Sequence, residues 1–126
     1  MENAVFFAVL FTFGGIGYLL LEFVWRGHSH WTMAIAGGVC LVLLYGVFTR
    51  IPQAALLFKC LIGAVIIAAV EFVTGALVNR WLHWDVWDYS QRRFQLYGQV
   101  CLTYFLLWGV LCVPLAFFIE ALAALR

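Results

Sequence analysis

Glu71 is the side chain of this sequence best placed to do chemistry, because it is a carboxyl group inside a long apolar run, residues 54–78. A charge near the centre of a bilayer costs on the order of 2.5–3.5 kcal/mol on insertion scales, so it is expected to face other helices or a wet cavity. Thr74, Gly75 and Asn79 follow at the i+3, i+4 and i+8 positions, making a polar, closely packing stripe on the same helix face. A working role in binding or proton exchange and a structural hydrogen bond or ion pair both remain open for Glu71. Glu22 supplies a second carboxyl group, at the end of another apolar run, with Arg26 four residues later. That spacing suits a helical ion pair. The alternative sets Glu22 and Arg26 beside Glu71 in one polar pocket at one membrane face.

Downstream of Glu71 the residue types change. Trp81, Trp84, Trp87 and Tyr89 are interleaved with His83, Asp85 and Asp88. Indole and phenol rings favour the membrane–water boundary, where the ring and its polar tip can both be accommodated. The expectation is a loop on the bilayer surface, or folded back over the helices, that brings Trp87, Asp88 and Tyr89 to the pocket. Asp88 and Gln91 have capping-box spacing, which would restart a helix near Tyr89 and lead it into the last apolar run. Arg92 and Arg93 would pair with Asp85 and Asp88 or contact lipid phosphates.

Other candidates are weaker. His28 and His30 flank Ser29, but no spacing rule joins them to His83, Asp85 or Asp88, so no metal site is expected. Cys40, Cys60, Cys101 and Cys112 form no C-x-x-C pair and read as small apolar packers. Gly14, Gly15 and Gly17, with Gly37 and Gly38, would let helix backbones approach closely; a backbone-lined path is the sharper reading of the same residues. Neither a phosphate-cradling loop, a serine elbow nor an H-E-x-x-H motif occurs. Enzyme chemistry therefore has little direct support in the sequence, and no cofactor is expected.

The elements that must position these residues follow from composition. Of 126 residues, 67% are hydrophobic and 10% charged, against roughly 45–50% and about 25% in soluble domains. Lipid must cover that much apolar surface. A helix needs about 20 apolar residues to cross about 30 Å of hydrocarbon, and four runs qualify, at about 3–25, 32–48, 54–78 and 96–121. The first lacks the basic start and cleavage site of a signal peptide and is expected to stay as a helix. Pro114 should kink the last span by freeing the carbonyl of Val110. The expected fold is all-α: one integral membrane domain, a four-helix bundle with an interfacial Trp-rich loop between its third and fourth helices.

Such a chain is expected to be a multi-pass membrane protein, in a bacterial inner or plasma membrane. Its expected partners are membrane lipids and further copies of itself, and a net charge of +1 gives no sign of nucleic acid. The face bearing Arg26, Arg80, Arg92 and Arg93 is expected to be cytoplasmic, narrowly, because Arg50, Lys59 and Arg126 oppose it. Near-balance would also suit insertion in both orientations and an antiparallel dimer, which is the minority reading. For function, a transporter- or channel-like protein with a polar pocket at Glu71 leads. The alternative is a lipid- or partner-binding scaffold, and an intramembrane enzyme acting on lipid through Glu71 and Asp88 comes third.

The stretch from Glu71 to Trp108 resembles the bacterial putative ABC-transporter permease family of CmpB type and the related transmembrane protein 229 group. The resemblance rests on Glu71, Phe72 and Gly75, then Trp87-Asp88-Tyr89-Ser90, then Gly98 and Trp108. In the first half it rests on a Gly-rich helix ending in Glu22, Arg26-Gly27-His28, and a Trp-x-Met step at Trp31 and Met33. Ala36-Gly37 stands where the family has Tyr-Gly, and Gln95 or Tyr97 where it has an Asn before Gly98. The resemblance implies the fold and the location of the site. Its permease label implies a separate ATPase subunit as a possible partner, although four short spans leave no extended cytoplasmic helix on which one could dock.

Overall fold

The structure, a computed structural model, describes residues 2–27, 31–81, 95–96 and 100–125. Four helices carry the chain: α1 (Glu2–Arg26), α2 (Trp31–Arg50), α3 (Leu56–Gly75) and α4 (Leu102–Leu125). All are long and apolar enough to cross a membrane, which makes the chain an all-α, multi-pass membrane protein. Phe13, Ile16 and Leu20 of α1, Leu57, Leu61 and Val65 of α3, and Val110 and Phe117 of α4 are exposed. Acyl chains solvate such surfaces, and helices satisfy their own backbone there.

The helices gather into two compact units, residues 1–43 and 44–126, with the division inside α2. In the first unit, α1 meets α2 backbone to backbone. A Cβ on Gly14 would stand 2.7 Å from the carbonyl oxygen of Gly37, and one on Gly15 would stand 2.7 Å from that of Ala34. Lipid gives helices no hydrophobic drive to associate, so such close approach supplies the packing. After Arg26 the helix stops on Gly27, whose φ is +77° and whose N–H donates to the Phe23 carbonyl at 2.9 Å. This is the left-handed cap for which glycine is suited. Gly27→Ala should cost about 1 kcal/mol and speed amide exchange in the last turn of α1. Exchange unchanged by the substitution would rule the cap out.

The second unit pairs α3 with α4. One stripe of α3, Cys60, Ala64, Ile67, Glu71 and Gly75, is buried, at the three- and four-residue spacing that keeps side chains on one helix face. Tyr104, Cys112, Ala116 and Ile119 form the matching stripe of α4. The closest approach lies at Gly63, where a Cβ would collide with Sγ of Cys112 and stand 3.1 Å from the ring tip of Phe48. Before α3, residues 51–55 make a short link in which Ala54 N–H donates to the Ile51 carbonyl at 3.1 Å. Lys59 bends back over this link, its Nζ 3.4 Å from the Pro52 carbonyl oxygen. Pro114 lies inside α4 without ending it.

Two features differ from the sequence expectation. First, α3 does not simply stop: Ala76–Trp81 continue it as a π-helix, a wide turn that nothing in the sequence announces. Second, the last span starts at Leu102 instead of about 96 and runs to Leu125. Gln95 faces Cys101 and Leu96 faces Val100 in a two-residue antiparallel ladder. Among the described residues before Leu102, Gln95–Leu96 and Val100–Cys101 are therefore extended and not helical, while Tyr89, where the sequence would restart a helix, lies outside the described residues. Gly98, in the middle of that interval, is the poorest helix former after proline, whereas α4 opens directly on a run of large apolar residues.

Candidate functional site

Glu71 sits on the buried stripe of α3 and is only 3% exposed, so its carboxyl group is sheltered from acyl chains. It lies about 10 Å along the axis from Val78, the last residue of the span, and about 22 Å from Leu56, the first, at 1.5 Å per residue. It thus lies in the last third of the span, near the end at which the Trp-rich segment begins. Lys59 stands twelve residues earlier, about 18 Å down the helix, too far to neutralise it.

The partner comes from α4. Nε1–H of Trp108 donates to Oε2 of Glu71 at 3.0 Å. The Gly63–Cys112 approach and this bond fix the register: as numbers rise along α3 from 63 to 71, they fall along α4 from 112 to 108. The two helices are antiparallel, and Trp108 occupies the turn between Tyr104 and Cys112 on the inward stripe. The rings of Tyr104 and Trp108 are 6.3 Å apart and inclined by 38°. An indole nitrogen can only donate, so it holds Oε2 whether or not the carboxyl carries a proton, and it brings no charge of its own. Gly75, one turn beyond Glu71, is buried and adds no side chain.

Asn79 lies within the π-turn. In a continuous α-helix position 79 would lie about 80° round from Glu71. A turn closed by i→i+5 bonds winds less per residue, which carries the backbone at 79 back toward the line of Glu71. In the first unit, Glu22 is 7% exposed and extends the four-residue series Leu10, Gly14 and Tyr18 along α1. Arg26 ends that helix one turn later. Trp87, Asp88 and Tyr89 lie outside the described residues, as do His28, His30, His83, Asp85, Arg92 and Arg93.

Sequence reasoning gave no role to Trp108 or Tyr104, and it passed over Thr32, a buried hydroxyl of α2. Turn spacing along α4, Tyr104–Trp108–Cys112, was the available signal. It becomes informative only once the register against α3 is known. A family model described as putative ABC-transporter type IV matches residues 5–125. No curated protein and no solved structure matches the chain.

Proposed function

Because this chain belongs to the putative ABC-transporter type IV family, its model spanning residues 5–125, we propose that it is a small transporter- or channel-like protein whose solute path passes Glu71. The observation that carries the reading is a carboxyl group 3% exposed within a membrane span, where an apolar residue would cost less to insert. Residues 1–126 hold no phosphate-binding loop, so any ATP-driven step would draw on a nucleotide site outside them. The test is flux in proteoliposomes over a broad panel of inorganic ions, sugars, amino acids and organic ions, comparing the wild type with Glu71→Gln. At least a tenfold loss for one solute class is expected. Equal flux of every solute through both proteins would overturn the proposal.

A second reading has its own support. The tryptophans and tyrosine between Trp81 and Tyr89 are residue types that anchor at lipid headgroups, which suits a lipid- or partner-binding scaffold. Lipid that co-purifies with the wild type and is lost from Trp87→Ala, with no flux of any solute, would establish that reading over the first.

A further inference from the structure

We propose that Cys60 of α3 and Cys112 of α4 form a two-coordinate site for a soft monovalent metal ion, with the chemistry of copper(I) or silver(I). The site is separate from Glu71, which stands eleven residues further along α3, about 16 Å away, and it does not depend on the solute reading. Both thiols lie on the inward stripes of the second unit. Cys112 is fully buried and Cys60 nearly so. The two helices come closest where these residues sit. Sγ of Cys112 lies over Gly63, one turn after Cys60, and a Cβ on Gly109, one turn before Cys112, would stand 4.0 Å from the Cys60 carbonyl oxygen. Thiols so placed act on each other electrostatically.

Geometry selects the kind of bridge. Cβ of Cys112 stands 3.4 Å from where a Cβ at position 63 would be, close to the separation found across a disulfide. Cys60 is one turn earlier, and side chains three residues apart on a helix have Cβ atoms about 5–6 Å apart. The two sulfurs are thus staggered and not directly opposed, which suits a bridging atom better than a sulfur–sulfur bond. With metal–sulfur bonds of about 2.3 Å, as in zinc thiolates, a linear bridge sets the sulfurs about 4.6 Å apart. That is only a little beyond van der Waals contact, so the ion needs no larger cavity.

The surroundings select the ion. Among the described residues no His, Cys, Asp or Glu joins the pair as a third ligand. Structural zinc takes four ligands and calcium about six to eight oxygens, whereas thiolates select soft ions such as copper(I), for which two sulfurs in line suffice. The ring tip of Phe48, 3.1 Å from the same Cβ position, and Ala64, on the stripe of Cys60, line the spot with carbon. Nothing there replaces the water of a hard ion. A thiol that binds a metal gives up its proton. One ion entering as one proton leaves, held by one thiolate and one thiol, keeps the span neutral where net charge is costly. Cys60 is also only four residues into α3, about 6 Å from the membrane face at which that helix begins, a short way in.

Metal binding by the full chain in detergent micelles tests the site. Cys40→Ser and Cys101→Ser together leave Cys60 and Cys112 as the only thiols. This background is titrated with silver nitrate in chloride-free buffer, followed by calorimetry and by the ultraviolet absorption of silver–thiolate bonds. One silver ion per chain is expected, with two sulfur neighbours in X-ray absorption, and no saturable binding of zinc. Adding Cys60→Ser or Cys112→Ser should weaken silver binding at least tenfold, with helicity and thermal transition as in the background. If Cys112→Ser does not fold, Cys60→Ser alone decides. Two silver ions per chain, one sulfur neighbour per ion, or undiminished binding by a folded single-thiol variant overturns the proposal. So does a reduced protein that binds no silver yet closes a Cys60–Cys112 disulfide with diamide, which would make the pair a redox crosslink. Flux past Glu71 bears on none of these results, so each reading stands or falls by itself.

Discussion

Gly37→Ala should weaken the pairing of α1 with α2 by about 2–3 kcal/mol, while Gly17→Ala, the same added methyl group, should leave it intact or strengthen it by up to about 1 kcal/mol. The difference lies in what the new Cβ meets. At Gly37 it would collide with Cβ of Tyr18 and stand 2.7 Å from the Gly14 carbonyl oxygen. Both obstacles are backbone or fixed to it, so relief requires the helices to move apart. At Gly17 nothing lies within 4 Å, and alanine gains its ordinary advantage over glycine in a helix interior. Gly38→Ala should fall between the two. Its obstacle is the ring of Phe11, the movable end of a side chain that is 36% exposed. Unfolding by dodecyl sulfate in mixed micelles, followed through tryptophan emission, gives all three values. Equal effects at Gly37 and Gly17 would mean that the close approach is not what joins the helices.

That contrast also marks what the sequence can and cannot disclose. The four spans were legible because about 20 consecutive apolar residues have few other fates, and α1, α2 and α3 begin and end within a few residues of the expected positions. The inward placement of Glu71 was legible too, since the energetic penalty on the lipid side is large. Packing partners were not. Gly14, Gly15 and Gly17 look alike as letters, yet a Cβ on Gly14 or Gly15 would run into α2 and one on Gly17 would meet nothing within 4 Å. A helix of uniformly apolar residues carries almost no periodic signal to say which side faces its neighbour. For the same reason Trp108 was visible only as a family letter and not as the donor to Glu71. The π-turn at Ala76–Trp81 and the ladder before Leu102 depend on contacts distant in sequence, which local propensity does not encode. Trp87, Asp88 and Tyr89, expected at the same pocket, lie outside the described residues.

A double-mutant cycle between Glu71 and Trp108 should give a coupling of about 0.6–1.5 kcal/mol, with Glu71→Gln near the wild type in stability. Glu71→Leu leaves the Trp108 N–H without its acceptor, and Trp108→Phe leaves Oε2 without this donor at 3.0 Å. Each single change pays for one widowed group, so the double variant should be more stable than the sum of the two. Glutamine keeps a carbonyl oxygen to accept from the indole. An ionised residue costs roughly 2.5–3.5 kcal/mol to insert at the span centre and less at the depth of Glu71, so coupling of that size at best offsets the cost. Helix association alone therefore gives no reason for a carboxyl group here: leucine would continue the stripe with Ala64 and Ile67 and make no such demand. The expected signature is a split, in which Glu71→Gln unfolds like the wild type and yet loses flux. A coupling above about 3 kcal/mol, or a glutamine variant that fails to fold, would place Glu71 among the structural contacts and take away the basis for a solute path.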